Sequence, residues 1–77
     1  MQYLSNCLAG EKVQVVGFRK DLPQKIRKRL CQLSIFSGTE IIFVQKSILK
    51  KVILIEVNYY RLSLRYDIAS MIEVKYA

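Results

Sequence analysis

The sequence predicts a mostly β fold, a small five-stranded barrel with one amphipathic helix between its first and second strands. Three observations indicate this fold. Short apolar runs of strand length, several of them alternating with polar residues, occur through most of the 77 residues. One segment, from about residue 22 to residue 33, has the apolar spacing of a helix instead. Short strands leave exposed edges unless their sheet closes, so we expect a single barrel domain over residues 1–77.

The N-terminal part predicts a short helical turn followed by the first strand. Leucines four residues apart place the turn near residues 3–8. Residues 12–19 alternate in the manner of a strand, with Val13 on one side and Phe18 on the other. Because glycine inside a strand weakens regular pairing, Gly17 indicates a bulge or a bend.

The helix is predicted from Asp21 or Leu22, one of which takes the capping position. Pro23 then lies in the first turn, where its missing N–H leaves no bond unmade. The residues that share the apolar face are Leu22, Ile26, Leu30 and Leu33.

Four more short strands are predicted after the helix. They cover residues 39–46, 51–57, 60–65 and 71–76. In the third of these strands Leu62 and Leu64 alternate with polar residues and are expected to point inward. A short helical turn is predicted near residues 67–70, with Asp67 as its cap.

Composition suggests where the protein works. No uncharged apolar stretch approaches the roughly 20 residues that a membrane span requires. The N-terminus lacks the basic region and long apolar core of a signal peptide. Cys7 and Cys31 have no metal-binding or redox spacing, so we expect two free thiols in a cytoplasmic protein.

The sequence contains no motif for catalysis or for holding a metal or cofactor. Histidine is absent, and the six acidic residues are spread along the chain without a paired motif. Neither a nucleophile elbow nor a phosphate-binding glycine loop occurs. We therefore expect a protein that is not an enzyme, with no catalytic, cofactor-binding or metal residues and no small-molecule substrate.

The net charge of +7 favours an anionic partner, such as nucleic acid, a lipid surface or an acidic protein face. Candidate partner-binding residues are the basic residues of the helix, an apolar pair at a loop tip with its lysines, and tyrosines and arginines around the last hairpin. They are Lys25, Arg27, Lys28, Arg29, Ile48, Leu49, Lys50, Lys51, Tyr59, Tyr60, Arg61 and Arg65.

Each of these features also has a purely structural interpretation. The basic residues can form a solvated helix face. The apolar pair can be partly buried at its hairpin tip, and the tyrosines can cover a barrel end. Cys31 falls off the apolar stripe, and we expect it to be a half-buried small hydrophobe.

Several motifs occur in one order along the chain. They are Leu4, Leu8 and Gly10 near the start, then RLCQLSIFSGTE (residues 29–40), YRLSLR (60–65) and ASMIEV (69–74). As an ordered set they resemble the FeoA family, the small cytosolic SH3-like barrels of bacterial ferrous iron uptake. The resemblance covers essentially the whole chain and implies an SH3-like barrel.

The chain departs from the family pattern at several turns. Ser34 stands where the family has a helix-ending glycine, Ser37 stands where it has proline, and residues 48–52 replace a Pro-Leu-Gly-Asp-Pro-like turn. Tyr59 stands where a glycine usually permits the last hairpin. Since tyrosine would be strained there, we expect that hairpin to form differently.

The resemblance implies a role beside the membrane ferrous iron transporter of the FeoB type, which the barrel would bind and regulate or assemble. We expect a monomer that this partner recruits to the inner membrane. One alternative is a small basic barrel that binds RNA or single-stranded nucleic acid. Another is a membrane-surface protein that uses the basic helix, although the core needs that helix's apolar stripe.

Overall fold

A computed structural model describes residues 2–77. In chain order the elements are β1 (Gln2–Tyr3), a 3₁₀ turn (Leu4–Asn6), β2 (Lys12–Phe18), α1 (Gln24–Gln32), β3 (Glu40–Ser47), β4 (Val52–Val57), β5 (Tyr60–Arg65), α2 (Tyr66–Ala69) and β6 (Ile72–Tyr76). The mostly β fold with its helix between two strands is confirmed. The strand that was not predicted is β1, whose two residues are too few to show any periodicity.

The strands form a single antiparallel sheet in the order β1-β6-β2-β3-β4-β5. The register shifts between Val15 and Gly17 in β2, and again between Phe43 and Gln45 in β3. Such bulges bend a strand and increase its twist, which lets a short sheet curl around one core. The bulge indicated by Gly17 is therefore confirmed.

The bulge in β2 overturns one expectation about side-chain direction. Strict alternation placed Phe18 on the side opposite Val13. Because the bulge inserts one extra residue after Val15, Phe18 turns back and packs against the buried cluster.

The core lies on the inner face of the curled sheet and is closed by α1 and the segment that follows it. Its largest fully buried side chains are Leu4, Val13, Val15, Leu30, Ile35, Ile41, Phe43, Ile53, Ile55, Val57 and Ile72. Leu62 and Leu64 also point inward, as predicted, with Leu62 partly buried.

Helix α1 begins at Gln24, later than predicted. Pro23 occupies the N-cap position in an extended conformation, and no side chain caps the helix. Asp21 does not cap it, since it lies two residues before the N-cap position, and its carboxylate lies 3.2 Å from Arg19 Nε. The predicted apolar stripe is confirmed, since Leu22 and Leu30 are buried while its other two members are partly buried.

The short helix α2 spans Tyr66–Ala69, so the predicted turn is present but begins one residue earlier. Asp67 lies in its first turn and does not cap it. The Asp67 carboxylate instead accepts a hydrogen bond from Arg65 Nη2 at 2.9 Å. The hydroxyl of Ser70 donates to the backbone oxygen of Asp67 at 2.6 Å.

The hairpin between β4 and β5 is a two-residue turn through Asn58 and Tyr59, with Val57 and Tyr60 paired at its base. Both turn residues have positive φ, 50° for Asn58 and 68° for Tyr59, as in a type I′ turn. The expectation that this hairpin forms differently is therefore wrong. Tyr59 adopts the conformation that glycine would have taken.

Candidate partner-binding surface

The structure divides the predicted contact residues among three separate surfaces. The first is the loop between β3 and β4, residues 48–51, which we call the basic tip. The second is the exposed face of α1. The third is the β4–β5 hairpin, which lies at the opposite end of β4 from the basic tip.

The basic tip exposes two large aliphatic side chains. Ile48 is 81% exposed and Leu49 is 96% exposed, so the interpretation of partly buried aliphatics at a hairpin tip is wrong. A side chain in this position contributes nothing to the core of this chain. Burying each of them against another surface is worth roughly 1.5–3 kcal/mol.

The tip is held against the start of α2 by a backbone hydrogen bond, in which Tyr66 N–H donates to Lys51 O at 2.9 Å. A groove of about 630 Å³ lies beside the tip. Its lining residues are Lys46, Ser47, Ile48, Lys51, Arg65, Tyr66 and Asp67. Arg65 and the basic tip lie far apart in the sequence, and the fold brings them together in this groove.

Tyr66 is one of the groove residues that reasoning from the sequence missed. Lys46 Nζ lies 4.4 Å from the centroid of the Tyr66 ring and 3.3 Å from its hydroxyl. The place of Tyr66 in the sequence could have indicated this role, since it directly follows Arg65, the last residue of the YRLSLR strand. Lysine held over an aromatic ring makes a positively charged wall with an apolar surface.

The charge around the basic tip is mostly positive. Lys46, Lys50, Lys51 and Arg65 lie in or beside it, while Asp67 is the acidic residue among those lining the groove. Asp67 is already engaged with Arg65. An apolar pair inside a basic rim fits a partner surface that is apolar at its centre and acidic at its edge.

The face of α1 carries Lys25, Lys28 and Arg29, all exposed. Arg27 behaves differently, because its guanidinium lies 5.8 Å from the Phe18 ring centroid and its Nε is buried without a hydrogen-bond partner in the described structure. The apolar stripe of α1 packs on the core. The helix therefore has a charged face but no free apolar face with which to enter a lipid surface.

The β4–β5 hairpin presents aromatic side chains. Tyr59 is fully exposed, whereas the Tyr60 hydroxyl donates a hydrogen bond to the backbone oxygen of Leu33 at the end of α1. Tyr60 thus covers the end of the helix. Phe36, which the sequence did not single out, is half exposed and lines a shallow pocket together with Tyr59.

The two cysteines are free thiols in different environments. Cys7 is buried, and its pKa is raised mainly because burial disfavours the charged thiolate. Cys31 is exposed, so the expectation of a half-buried hydrophobe is wrong for it. It lies one position past Leu30, on the solvent side of the stripe.

Residues 2–77 bring together no group of three or more His, Cys, Asp or Glu side chains that could hold a metal ion. Over the same residues, no helix combines the length and the apolar character needed to cross a lipid bilayer.

Comparison with known proteins gives a family match over nearly the whole chain. The model of the FeoA domain family matches residues 2–76. No curated protein matches the chain.

Solved structures of FeoA proteins share the fold. A FeoA protein from Chlorobium tepidum is 24% identical with a TM-score of 0.87, covering 97% of this chain and 70% of that one. A FeoA-like protein from Clostridium acetobutylicum is 29% identical with a TM-score of 0.80, covering 99% and 90% of the two chains.

A third relative is FeoA from Stenotrophomonas maltophilia, which is 23% identical with a TM-score of 0.82 and covers 97% of this chain and 91% of that one. It was crystallised with zinc and presented as a prokaryotic SH3 domain protein, a candidate activating factor for ferrous iron transport. Together these likenesses show an SH3-like barrel.

Proposed function

Because this chain belongs to the FeoA family, whose members are associated with ferrous iron transport, we propose that it is a non-enzymatic accessory protein of ferrous iron uptake. It binds the membrane transporter of the FeoB type and regulates or assembles it. It works as one barrel domain in the cytoplasm, and its partner recruits it to the inner membrane. The iron is the cargo of that transporter and is not held by this chain.

The exposed pair Ile48 and Leu49 is the observation that supports binding most directly. Large apolar side chains raised on a loop tip and surrounded by cations are typical of an interaction site. The apolar pair supplies the affinity, because its area leaves water when the partner covers it. The cations of the rim speed association with an acidic surface and fix its orientation.

Titration of the ¹⁵N-labelled protein with the soluble cytosolic domain of the transporter from the same organism tests this function. Amide shifts are expected at residues 48–51 and in the neighbouring Arg65 and Tyr66. The double variant Ile48→Ser, Leu49→Ser is expected to weaken binding by roughly tenfold or more, since two anchors are lost.

Val16→Ser is the matched control, because Val16 is also exposed but lies in β2. It is expected to bind like the wild type. An RNA oligomer serves as a second control, and shifts with RNA but not with the cytosolic domain would contradict the proposed function. Equal loss of binding in the Val16 variant would contradict the assignment of the basic tip.

A further inference from the structure

The strand β5 forms an open edge of the sheet. It pairs with β4 on one side, and no other strand among residues 2–77 pairs with it on the other side. Outside strand pairings and helices, no backbone hydrogen bond within that range uses an amide or carbonyl of Tyr60–Arg65. An edge strand of six residues is long enough to act as a template for another strand.

The turn geometry determines which backbone groups of β5 remain free. In a two-residue hairpin the residues at its base form a hydrogen-bonded pair, here Val57 with Tyr60. Hydrogen-bonded positions alternate along an antiparallel pair. The amides of Arg61, Ser63 and Arg65 and the carbonyls of Arg61 and Ser63 therefore point away from β4, toward the open edge. The carbonyl of Arg65, the N-cap residue of α2, accepts the first hydrogen bond of that helix.

The side chains of the same three residues are exposed on the outer face. The side chains of Arg61 and Arg65 are 62% and 73% exposed, and their ion pairs with Glu56 and Asp67 are at the surface. Exposed pairs of this kind contribute little stability, so an incoming carboxylate can replace either acidic partner.

This charge pattern disfavours pairing of β5 with a second copy of itself. In an antiparallel pair centred on Ser63, Arg61 of one chain would face Arg65 of the other. Like charges directly opposite one another destabilise a sheet. The edge is therefore better suited to a strand whose outward side chains are acidic.

We propose that β5 accepts an extended acidic segment of a partner protein as an added strand. The inference rests on the proposed function, in which that partner is the cytosolic part of the transporter. Main-chain hydrogen bonds to Arg61, Ser63 and Arg65 hold the segment, as in other cases of β-strand addition. Its acidic side chains alternate with apolar ones, which continue the inner layer beside the partly buried Leu62.

The open edge is continuous with the basic tip. The last residue of β5 is Arg65, which lines the groove, and the next residue, Tyr66, bonds to Lys51 of the tip. Six residues of strand span about 20 Å. One partner segment can thus pair with β5 while its neighbouring residues cover Ile48 and Leu49.

Amide hydrogen exchange tests the added strand directly. The first probe is a seven-residue peptide, acetylated and amidated, in which glutamate alternates with valine. At saturating peptide we expect exchange at Arg61, Ser63 and Arg65 to slow roughly tenfold or more, while the intervening amides, already bonded to β4, change little. A peptide with lysine in place of each glutamate is the charge control and is expected to give no protection.

Two substitutions separate backbone pairing from side-chain contact. Ser63→Pro removes the outward N–H without removing a bond to β4. An edge strand tolerates proline at such a position, because the missing N–H faces away from the sheet. Ser63→Ala keeps that N–H. The proline variant is expected to lose binding by roughly tenfold, and the alanine variant is expected to bind like the wild type.

The second probe is the cytosolic domain of the transporter. If the domain binds at the basic tip, but neither the peptide nor the domain slows exchange at the amides of Arg61, Ser63 and Arg65, the inference is overturned and the proposed function stands. If the peptide gives the alternating protection and the domain does not bind, the open edge is supported and the proposed function fails. Equal protection by the lysine peptide would overturn the acidic specificity, and unimpaired binding by a folded Ser63→Pro variant would overturn the added strand.

Discussion

Among residues 2–77, four residues other than glycine have positive φ, which places them in the left-handed region. They are Ser34, Lys51, Asn58 and Tyr59. For residues with a Cβ this conformation is unfavourable by roughly 1–2 kcal/mol. Asparagine tolerates it better than most residues do, and Tyr59 is the bulkiest of the four.

Ser34 shows how the fold keeps a glycine conformation without the glycine. It follows the last turn of α1 with φ of 67°. Its amide donates to Cys31 O at 3.0 Å, and the amide of Ile35 donates to Leu30 O at 2.8 Å. These two bonds form the Schellman ending of a helix, and the burial of Ile35 stabilises it.

No comparable burial stabilises the positive φ of Tyr59, since its side chain is fully exposed. Tyr59→Gly is therefore expected to raise the free energy of unfolding by about 1 kcal/mol, because glycine adopts positive φ without strain. Urea denaturation of the wild type and the variant measures the difference. Tyr59→Ala keeps the Cβ and is expected to stay close to the wild type, so equal stabilisation by both variants would refute the strain argument.

At the scale of the elements, period and spacing identified α1 and the later strands well. Alternation is a local property, and Leu62 and Leu64 follow it because β5 has no bulge. The start of α1 was less predictable. Asp21 has the chemistry of a helix cap, but it pairs with Arg19 outside the helix. The sequence alone does not show whether its carboxylate binds the helix N-terminus or the Arg19 guanidinium.

Helix α1 is expected to depend on its buried stripe and not on its exposed face. Leu30→Ala should lower the free energy of unfolding by about 2–5 kcal/mol, because Leu30 is buried and its loss leaves a cavity. The adjacent exposed Cys31 provides the control, since Cys31→Ala should change stability by less than about 0.5 kcal/mol. Urea denaturation measures both, and similar values for the two variants would show that α1 does not pack as described.

At the scale of the whole molecule, candidate contact residues could be named from the sequence, but their arrangement in space could not be predicted from it. Exposure and charge pointed to Ile48, Leu49 and Arg65. Their proximity depends on the bond between Tyr66 and Lys51, two residues that lie far apart in the sequence. The contact of Arg27 with Phe18 was equally hidden in the sequence, because it depends on a bulge in another strand.

The molecule as a whole combines two adjoining features, the apolar pair of the basic tip and the open edge of β5. Both carry positive charge, in a chain with net charge +7. A partner that meets them should be acidic, and its association should slow as salt screens the attraction.

Binding to the intact transporter tests that conclusion most directly. The full-length FeoB-type transporter from the same organism, reconstituted in lipid nanodiscs, would be titrated with the wild type and with the Ile48→Ser, Leu49→Ser variant at two salt concentrations. Saturable binding by the wild type, weakened by the variant and slowed in its association at the higher salt concentration, is the predicted result. Wild-type protein that fails to bind an active transporter at either salt concentration would contradict it.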